Sequence, residues 1–450
     1  MTTEFPQIIP AGVMTQEFRT PDTVRRGIIA GVVGNMLEWY DFALFGFFAS
    51  QIGAHFFPAT NPTASLLAAY GTFAAGFLMR PIGGALFGWI GDKYGRKQAL
   101  LWSVLAMALP SFCIGLLPSE SSVGIIAPVL LLIFRLLQGL AVGGEYMASS
   151  IFLVEGAIPG KRGFMGAWSP FGCFAGTLLG SAAGLIVNSV LSPAAVMDYG
   201  WRIPFLLGLA VALGGIVIRR NFVEKVPHQP PAKSPLGEAF RIHWRTILHL
   251  ILLVCGLSVG FYTTFVYSAT WLKQFAGISA KSGFEINTIA MALSLGAVLA
   301  AGAWSDRIGR RPVLIVISGL LMVVAYPMMS LMMSGRWIAV FIGQVVLSLL
   351  VSAAAGVLSA TMAELAPWRV RCTVLSISYN FGVALLGGTT PLVAAWLVSR
   401  TGFSLAPAVY LALSGALSFI GALALPKVMP HRLTTEFQAA RGGQVARHLA

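Results

Sequence analysis

Five charged residues lie well inside long apolar stretches of this 450-residue chain, where an unpaired charge is costly. They are Glu38, Asp41, Arg80, Arg135 and Glu145. Glu38 and Asp41 are three residues apart, so they share one face of a helix. Neighbouring carboxylates raise each other's proton affinity, which suits groups that bind and release a proton near neutral pH. The alternative is that one or both form structural ion pairs with Arg80 or Arg135.

The two arginines could bind an anion. Arg135 lies near the middle of an apolar stretch, where its guanidinium could hold a substrate carboxylate through two hydrogen bonds or act electrostatically on the carboxylate pair. Arg80 precedes Pro81, which perturbs a helix, so a structural role and a substrate contact are both open. Uncharged polar side chains that could complete such a site are Asn35, Gln138, Tyr379 and Asn380. Aromatic side chains that could shape a pocket, or simply pack, are Trp39, Tyr40, Trp168, Tyr262, Tyr267 and Tyr379.

The elements that hold these residues must be membrane-spanning helices. Hydrophobic residues make up 57% of the chain and charged residues only 10%, whereas soluble domains have roughly 25% charged residues. These charges are too few to solvate a soluble surface, and an open sheet could not satisfy its backbone groups in lipid. Twelve apolar runs are each long enough for a helix across a hydrocarbon core of about 30 Å: 27–52, 66–90, 99–117, 123–150, 164–190, 202–219, 246–272, 285–304, 312–334, 337–362, 372–398 and 402–425.

The distribution of basic residues predicts the topology. Only five of the 30 Lys and Arg residues lie in one set of loops: Arg202, Lys273, Lys281, Arg336 and Arg400. Nearly all the others lie in the tails and the alternate loops, so both termini are expected to be cytoplasmic. We expect an all-α membrane protein with twelve transmembrane helices in two pseudo-symmetric six-helix bundles. Its expected parts are an N-terminal tail 1–26, bundles 27–219 and 246–425, a proline-rich cytoplasmic linker 220–245 between them, and a C-terminal tail 426–450.

A short basic loop occurs once in each half. Gly88–Lys97 and Gly302–Arg311 both have the form G-x-x-x-D-[KR]-x-G-R-[KR], 214 residues apart. Two further segments, 155–162 and 364–371, each place Glu and Arg seven residues apart around a proline. Internal repeats of this kind are typical of transporters.

We expect these segments to gate one end of the bundles. Asp92 and Asp306 lie just past a helix end, near enough to a neighbouring helix N-terminus to interact with its dipole. Arg96 could pair with Glu155, and Arg310 with Glu364. The alternative is that the loops are basic for topology alone. The complete set of expected gate residues is Gly88, Asp92, Gly95, Arg96, Glu145, Glu155, Arg162, Gly302, Asp306, Gly309, Arg310, Glu364 and Arg371.

Other functional classes find little support. The sequence has no G-x-x-x-x-G-K-[ST] phosphate-binding loop and no metal-type cluster, which argues against an ATP-driven pump and against a membrane enzyme. We therefore expect no catalytic residues, no metal site and no cofactor. The net charge of +14 is explained by basic loops rather than by nucleic-acid binding. The four cysteines are interpreted as packing residues: Cys113, Cys173, Cys255 and Cys372. The every-fourth glycines Gly172, Gly176, Gly180 and Gly184 predict close helix packing.

The repeated loop resembles that of the major facilitator superfamily, and the chain resembles its metabolite–proton symporter family over residues 25–425. The narrower resemblance is carried by Gly34–Phe42, Arg80–Gly84, Arg135–Gly139 with Gly143–Tyr146, and Trp201–Phe205. That family includes permeases for proline and betaine, α-ketoglutarate, citrate, shikimate and other aromatic acids. The resemblance implies proton-coupled uptake of a small carboxylate-bearing metabolite by alternating access, the cargo being a di- or tricarboxylate, an aromatic acid, or a zwitterion such as proline or betaine.

Two segments are most similar to the proline/betaine branch of that family: Arg162–Trp168 and Thr390–Val398. Two departures count against osmosensory gating and against a betaine substrate. The tail from Pro426 has no heptad repeat to match the C-terminal coiled coil of the osmosensing branch. Ser169-Pro170 stands where that branch includes an acidic residue.

Two alternatives share the expected fold. One is an exporter or proton antiporter, and the other is a proton-independent transceptor. In each case we expect a monomer in the cell (inner, cytoplasmic) membrane. Its partners would be the small-molecule substrate, protons and the lipid bilayer, with no nucleic acid.

Overall fold

The computed structural model describes residues 21–94, 96–143, 145–158, 160–219, 235–367 and 370–427. These ranges are almost entirely helical and contain no strand. The α-helices of the first half are α1 (Pro21–Phe47), α2 (Ala49–Phe56), α3 (Pro62–Leu78), α4 (Arg80–Tyr94), α5 (Arg96–Leu116), α6 (Glu120–Val123), α7 (Ile126–Ala141), α8 (Glu145–Glu155), α9 (Arg162–Val190), α10 (Pro193–Ala195) and α11 (Arg202–Arg219). Those of the second half are α12 (Pro235–Ile242), α13 (Trp244–Phe261), α14 (Ser268–Phe275), α15 (Ala280–Ile308), α16 (Arg310–Met332), α17 (Trp337–Leu365), α18 (Arg371–Gly382), α19 (Thr390–Thr401) and α20 (Ala406–Leu423).

Each of the twelve expected spans has a helical counterpart among the described residues. Ten segments are long and apolar enough to cross a membrane, and an eleventh is the pair Pro193–Gly200 and Arg202–Gly214, bent by 51°. The third expected span corresponds to the shorter apolar helix Trp102–Leu116. The expected all-α membrane fold is therefore confirmed. We number these segments span 1 to span 12 in chain order.

Several spans are not continuous helices, contrary to the simple runs expected from the sequence. Span 2 breaks between α3 and α4 because Pro81 has no N–H to donate and its ring crowds the preceding turn. Span 4 breaks between α7 and α8, where the sequence has two consecutive glycines of low helix propensity. Spans 7 and 11 instead contain π-helical turns, at Tyr262–Tyr267 and Val383–Gly387.

The two halves meet mainly along span 5. Helix α9 packs against α1 of its own bundle and against α15 and α17 of the other bundle. The predicted glycine packing is borne out: a Cβ at Gly172 or Gly176 would overlap the backbone of α1, and one at Gly184 would overlap the Phe284 ring of α15. Gly180 differs, since its Cβ would have ordinary contacts at 3.5 Å.

This difference gives a matched pair of substitutions. Gly176→Ala should destabilise the protein by roughly 1–3 kcal/mol, because the added methyl group must push α1 away from α9. Gly180→Ala should leave stability nearly unchanged. Thermal unfolding of the detergent-solubilised protein measures both. Equal melting temperatures for the two variants would contradict the proposed close approach.

Candidate functional site

A central cavity of about 30 Å³ lies between the two bundles. Spans 1, 4 and 5 of the first half and spans 7, 10 and 11 of the second half contribute to its wall. Its aromatic lining residues are Trp39, Tyr146, Phe174, Phe261, Tyr262 and Tyr379. The other lining residues are Pro170, Cys173, Leu257, Ser258, Ala355 and Val383.

The aromatic rings of the cavity connect the halves. Tyr146 of α8 stacks on Tyr379 of α18, with ring centroids 4.5 Å apart. Trp39 of α1 meets the Phe261 ring edge-on at 5.0 Å and lies parallel to Tyr262 at 6.3 Å. The wall therefore presents aromatic faces and edges from both bundles to one small space.

Three polar atoms of this wall are buried without a hydrogen-bond partner among the described residues. They are Trp39 Nε1, Ser258 Oγ and Tyr262 Oη. A buried donor without a partner costs about 1–3 kcal/mol, so such groups normally have a reason to be there. Tyr262 begins the π-helical turn of span 7, and π-turns often occur at functional sites. These donors are available to a bound molecule.

The two predicted carboxylates lie in a second cavity of about 20 Å³, inside the first bundle. Glu38 and Asp41 share it with Ser103 of span 3 and with apolar residues of spans 1, 3, 4 and 6. Both side chains are buried, and Asp41 Oδ1 has no hydrogen-bond partner among the described atoms. Gly208 lies opposite Asp41, and a Cβ there would lie 2.7 Å from Asp41 Oδ1, so the carboxylate would have to shift. The carboxylate pair is thus separate from the central cavity.

Neither predicted arginine lines the central cavity. The fully buried Arg135 lies over the rings of Phe45 and Phe42, at 4.2 and 4.7 Å, and donates to Gln138 Oε1 at 2.8 Å. Its Nε and Nη2 have no hydrogen-bond partner within the described structure, and it acts electrostatically on Asp41. Its position fits the electrostatic alternative better than a direct contact with molecules in the central cavity.

Arg80 is held between two bundles. Its Nη2 lies 3.9 Å from Glu38 Oε1, and its Nε donates to Asn380 Oδ1 at 3.4 Å. Asn380 belongs to span 11 and donates in turn to the carbonyl of Gly143 at 2.7 Å. Arg80 therefore contacts the carboxylate cavity on one side and the second half of the chain on the other.

The remaining predicted polar residues divide between the cavity and its surroundings. Tyr379 lines the central cavity. Asn35 instead donates to Ser149 Oγ and Ser169 Oγ, both at 3.1 Å, and Gln138 supports Arg135. Among the aromatic candidates, Trp39 and Tyr262 line the cavity with Tyr379. The others do not: Tyr40, Trp168 and Tyr267.

Several lining residues were not among the sequence candidates. Phe174 and Phe261 carry no signal that separates them from ordinary packing phenylalanines. Ser258 and Cys173 are small residues in apolar runs and are equally inconspicuous. Only Tyr146 had a signal, because it follows Glu145 in the Gly-Gly-Glu-Tyr motif.

The end of the bundles that carries the repeated loops, here called the loop-motif face, is closed by ionic contacts. Asp306 accepts hydrogen bonds from the backbone N–H groups of Gly163 and Phe164, at 2.7 and 2.9 Å. These two groups form the N-terminus of α9, so the predicted interaction with a neighbouring helix is confirmed for Asp306. Arg310 pairs with Glu364 at 3.1 Å, as predicted, and also with Asp306 at 2.8 Å.

The structure explains why two positions of the second loop copy are glycine. Gly302 packs directly on the backbone of Gly163, and its Cβ would lie 2.6 Å from that carbonyl oxygen. Gly309 adopts a φ of 95°, which side chains disfavour. In the second copy the pattern therefore reflects a close approach and a turn as well as topology.

A further ion pair joins the halves at the same face. Glu155 binds Arg371 at 2.6 Å, and Arg162 lies among the charges of Asp306, Arg310, Glu364 and Arg371. In the first loop copy Gly95 lies outside the described residues, as do the side chains of Asp92 and Arg96 and the surroundings of Gly88. The side chain of the expected gate residue Glu145, at the start of α8, also lies outside them. The Arg96–Glu155 pair thus stays a prediction.

The opposite face is closed by different chemistry. Tyr70 donates to Thr270 Oγ1 at 3.0 Å, and Ser181 and Thr288 share a hydrogen bond of 2.9 Å. The Phe284 ring contacts Phe47 and Phe48 at centroid distances of 5.6 and 6.0 Å. Both ends of the interface between the halves are thus in contact, one through charges and the other through neutral groups.

Substitution at the loop-motif face should change the ratio of molecules that are open at this face to molecules that are closed there. Asp306→Asn should raise the ratio of open to closed molecules about ten-fold, because losing the charge at a helix N-terminus costs roughly 1–2 kcal/mol. Nitroxide labels at the exposed positions Ile158 and Ile308, in a cysteine-free background, report the separation by pulsed electron paramagnetic resonance. The exposed Asp198 on the opposite face supplies the control, Asp198→Asn. An unchanged distance distribution in Asp306→Asn would contradict the gate.

Comparison with known proteins gives close relatives over most of the chain. The chain is 37% identical over 403 residues to the glycine betaine/proline/ectoine/pipecolic acid transporter of Dickeya dadantii (strain 3937), covering 86% of this chain and 80% of that protein. It is 34% identical over 441 residues to the proline/betaine transporter of Escherichia coli (strain K12), covering 95% and 88% respectively.

The fold is that of solved transporters with little sequence similarity. The proton:xylose symporter XylE bound to 6-bromo-6-deoxy-D-glucose matches with a TM-score of 0.70 at 17% identity, covering 91% of this chain and 96% of that one. XylE from E. coli in a partially occluded inward-open conformation matches with a TM-score of 0.67 at 18% identity, covering 90% and 100%. The sugar (and other) transporter family model matches residues 27–228 and 244–428. This multi-span membrane protein therefore belongs to the sugar (and other) transporter family of the major facilitator superfamily.

Proposed function

We propose that this protein takes up small zwitterions of the proline and betaine type together with a proton, by alternating access. The observation that carries the proposal is the central cavity, where six aromatic rings and three unpartnered donors face one space shared by both bundles. The relatives named as proline and betaine transporters support the same cargo class.

The aromatic rings suit the cationic end of such a cargo. Ammonium groups, above all quaternary ones, are attracted to the faces of Trp, Tyr and Phe. Among the described residues that line the cavity, none carries an acidic or basic side chain. A net-neutral wall suits a net-neutral zwitterion and would bind a di- or tricarboxylate poorly, because no cation is present to offset its charge. This chemistry favours betaine in spite of the Ser169-Pro170 departure.

The unpartnered donors suit the carboxylate end. Trp39 Nε1, Ser258 Oγ and Tyr262 Oη can donate to carboxylate oxygens, and hydrogen bonds to a charged acceptor are the stronger kind. The cavity of about 30 Å³ is smaller than such a cargo, so binding requires the aromatic rings to separate. Because Tyr146 and Tyr379 come from different halves, that separation is coupled to movement of the bundles.

The carboxylate cavity supplies the groups for proton coupling. Glu38 and Asp41 are buried together, away from the cargo cavity, and Arg135 acts electrostatically on Asp41. A proton on either carboxyl reduces the cost of burying charge when the bundles close. The positive-inside rule favours a cytoplasmic position for the basic loop-motif face, and in the proposed cycle its ionic contacts form the inner gate.

Uptake into proteoliposomes with an imposed pH gradient tests the proposal. Glycine betaine and proline should accumulate with the gradient and only equilibrate without it, whereas citrate, α-ketoglutarate and shikimate should not accumulate. Glu38→Gln and Asp41→Asn should each abolish accumulation, because the proton-binding carboxyl is lost. Equal accumulation with and without the gradient would instead indicate the proton-independent transceptor, and cargo movement against inward protons would indicate the antiporter.

The carboxylate donors can be tested separately. Ser258→Ala should raise KM for glycine betaine about ten-fold or more, because a hydrogen bond to a charged group contributes roughly 1.5–3 kcal/mol. The matched control is Ser352→Ala in α17, since Ser352 Oγ donates to the Leu349 carbonyl of its own helix and does not line the cavity. Unchanged KM in Ser258→Ala would remove Ser258 from the site. Transport confined to di- or tricarboxylates would refute the cargo assignment.

A further inference from the structure

Arg80 lies between Glu38 of the first bundle and Asn380 of the second. It is 1% exposed, its Nη2 lies 3.9 Å from Glu38 Oε1, and its Nε donates to Asn380 Oδ1 at 3.4 Å. Both distances are at the long end for such contacts. The guanidinium is thus held between a carboxylate of the first bundle and an amide of the second without a short contact to either.

Asn380 fixes the second bundle to the first at this point. Its side chain is buried, and its Nδ2 donates to the Gly143 carbonyl at 2.7 Å. Gly143 lies at the break in span 4, where carbonyl groups have lost their helical partners and are free to accept. Asn380 follows Tyr379, which stacks on Tyr146 in the cargo cavity. A shift of Asn380 is therefore transmitted directly to the cavity wall.

The charge on Glu38 must act on the position of Arg80. Among the described residues, the charged and titratable groups near Glu38 include Arg80 from span 2, Asp41 one turn further along span 1, and Tyr262 from span 7. Arg80 is the cation among them, and Coulomb attraction across 3.9 Å is strong where water is excluded. An ionised Glu38 draws Arg80 toward span 1, and a protonated Glu38 releases it.

We propose that Asn380 is the positioning residue that transmits the protonation state of Glu38 to the second bundle, with Arg80 moving between the two. Protonation of Glu38 lets Arg80 close on Asn380, which fastens span 11 to spans 2 and 4 and favours closure around the cargo. Ionisation of Glu38 weakens that contact and favours opening. This inference rests on the proposed proton coupling of Glu38.

The test measures proton coupling separately from movement of the cargo across the membrane. The reconstituted protein is assayed for exchange of labelled against unlabelled glycine betaine, which needs no net proton movement, and for accumulation driven by a pH gradient. Asn380→Ala should lower the accumulation ratio about ten-fold, the change expected when one charge-assisted hydrogen bond is removed from a coupling equilibrium. Its exchange rate should fall less than its accumulation ratio, because Asn380 does not line the cargo cavity.

A second variant guards against simple misfolding. Asn380→Asp places a fixed carboxylate beside Arg80 that competes with Glu38, so accumulation should also fall while exchange persists. Ser378→Ala is the matched control on the same helix, since Ser378 Oγ donates to its own Val374 carbonyl. It should behave like the parent.

The results that would overturn the proposed role of Asn380 are as follows. Parent-like accumulation in Asn380→Ala or Asn380→Asp overturns the proposal, and so does an equal loss of exchange and accumulation in both variants, which indicates a merely structural role. Absence of proton-driven accumulation in the parent and in Ser378→Ala refutes the proton coupling itself, and the role of Asn380 with it. That result is distinguishable because it does not depend on any change at Asn380.

Discussion

Polar groups buried in hydrocarbon must find partners, and most features of this protein follow from that constraint. A lone N–H, hydroxyl or carbonyl in lipid costs several kcal/mol. Many polar side chains of the spans meet the requirement within their own helix, as Thr177 does with the Cys173 carbonyl. Among the described residues, the exceptions include the three donors that line the central cavity and a second set in spans 7 and 10: Thr263, Thr264, Gln344 and Ser348. Part of the unmet hydrogen-bonding capacity thus lies in the space that both bundles share.

The same constraint explains why glycine and charge act together at the loop-motif face. Lipid gives helices little reason to associate, so close packing and specific polar contacts have to hold the halves. Gly302 and Gly163 let two backbones approach, and this approach brings Asp306 within reach of the N-terminus of α9. The glycine thus makes the ionic contact possible. At the other face, hydroxyl groups and the Phe284 ring connect the halves without charged groups.

The fold, the transporter class and much of the ionic network at the loop-motif face could be predicted from the sequence because their signals are strong. Hydropathy specifies the spans, and fixed offsets between Gly, Asp and Arg specify the loops. The Arg310–Glu364 pair followed from those offsets, whereas the Glu155–Arg371 pair did not, since it depends on how two bundles meet. Only some of the aromatic residues that line the central cavity could be predicted from the sequence. A Phe such as Phe174 in an apolar helix has the same neighbours in sequence whether it faces lipid, core or cavity. Arg135 was a conspicuous charge, but its ring contacts with Phe42 and Phe45 come from tertiary packing that spacing does not reveal.

The π-helical turns of spans 7 and 11 change which residues of these spans share one face of the helix. A π-turn contains an additional residue relative to an α-turn, and one residue in an α-helix corresponds to a rotation of about 100°. The side chains before Tyr262 and those after Tyr267 are consequently out of phase, and a single helical wheel drawn through span 7 assigns the wrong face to one of its two portions. Span 11 has the same phase break after Val383–Gly387. The cavity-lining residues of both spans lie before the π-turn or at its first residue, so the portions that follow the turns present a different face to the cavity. Residue-by-residue comparison between the halves has to allow for the offset.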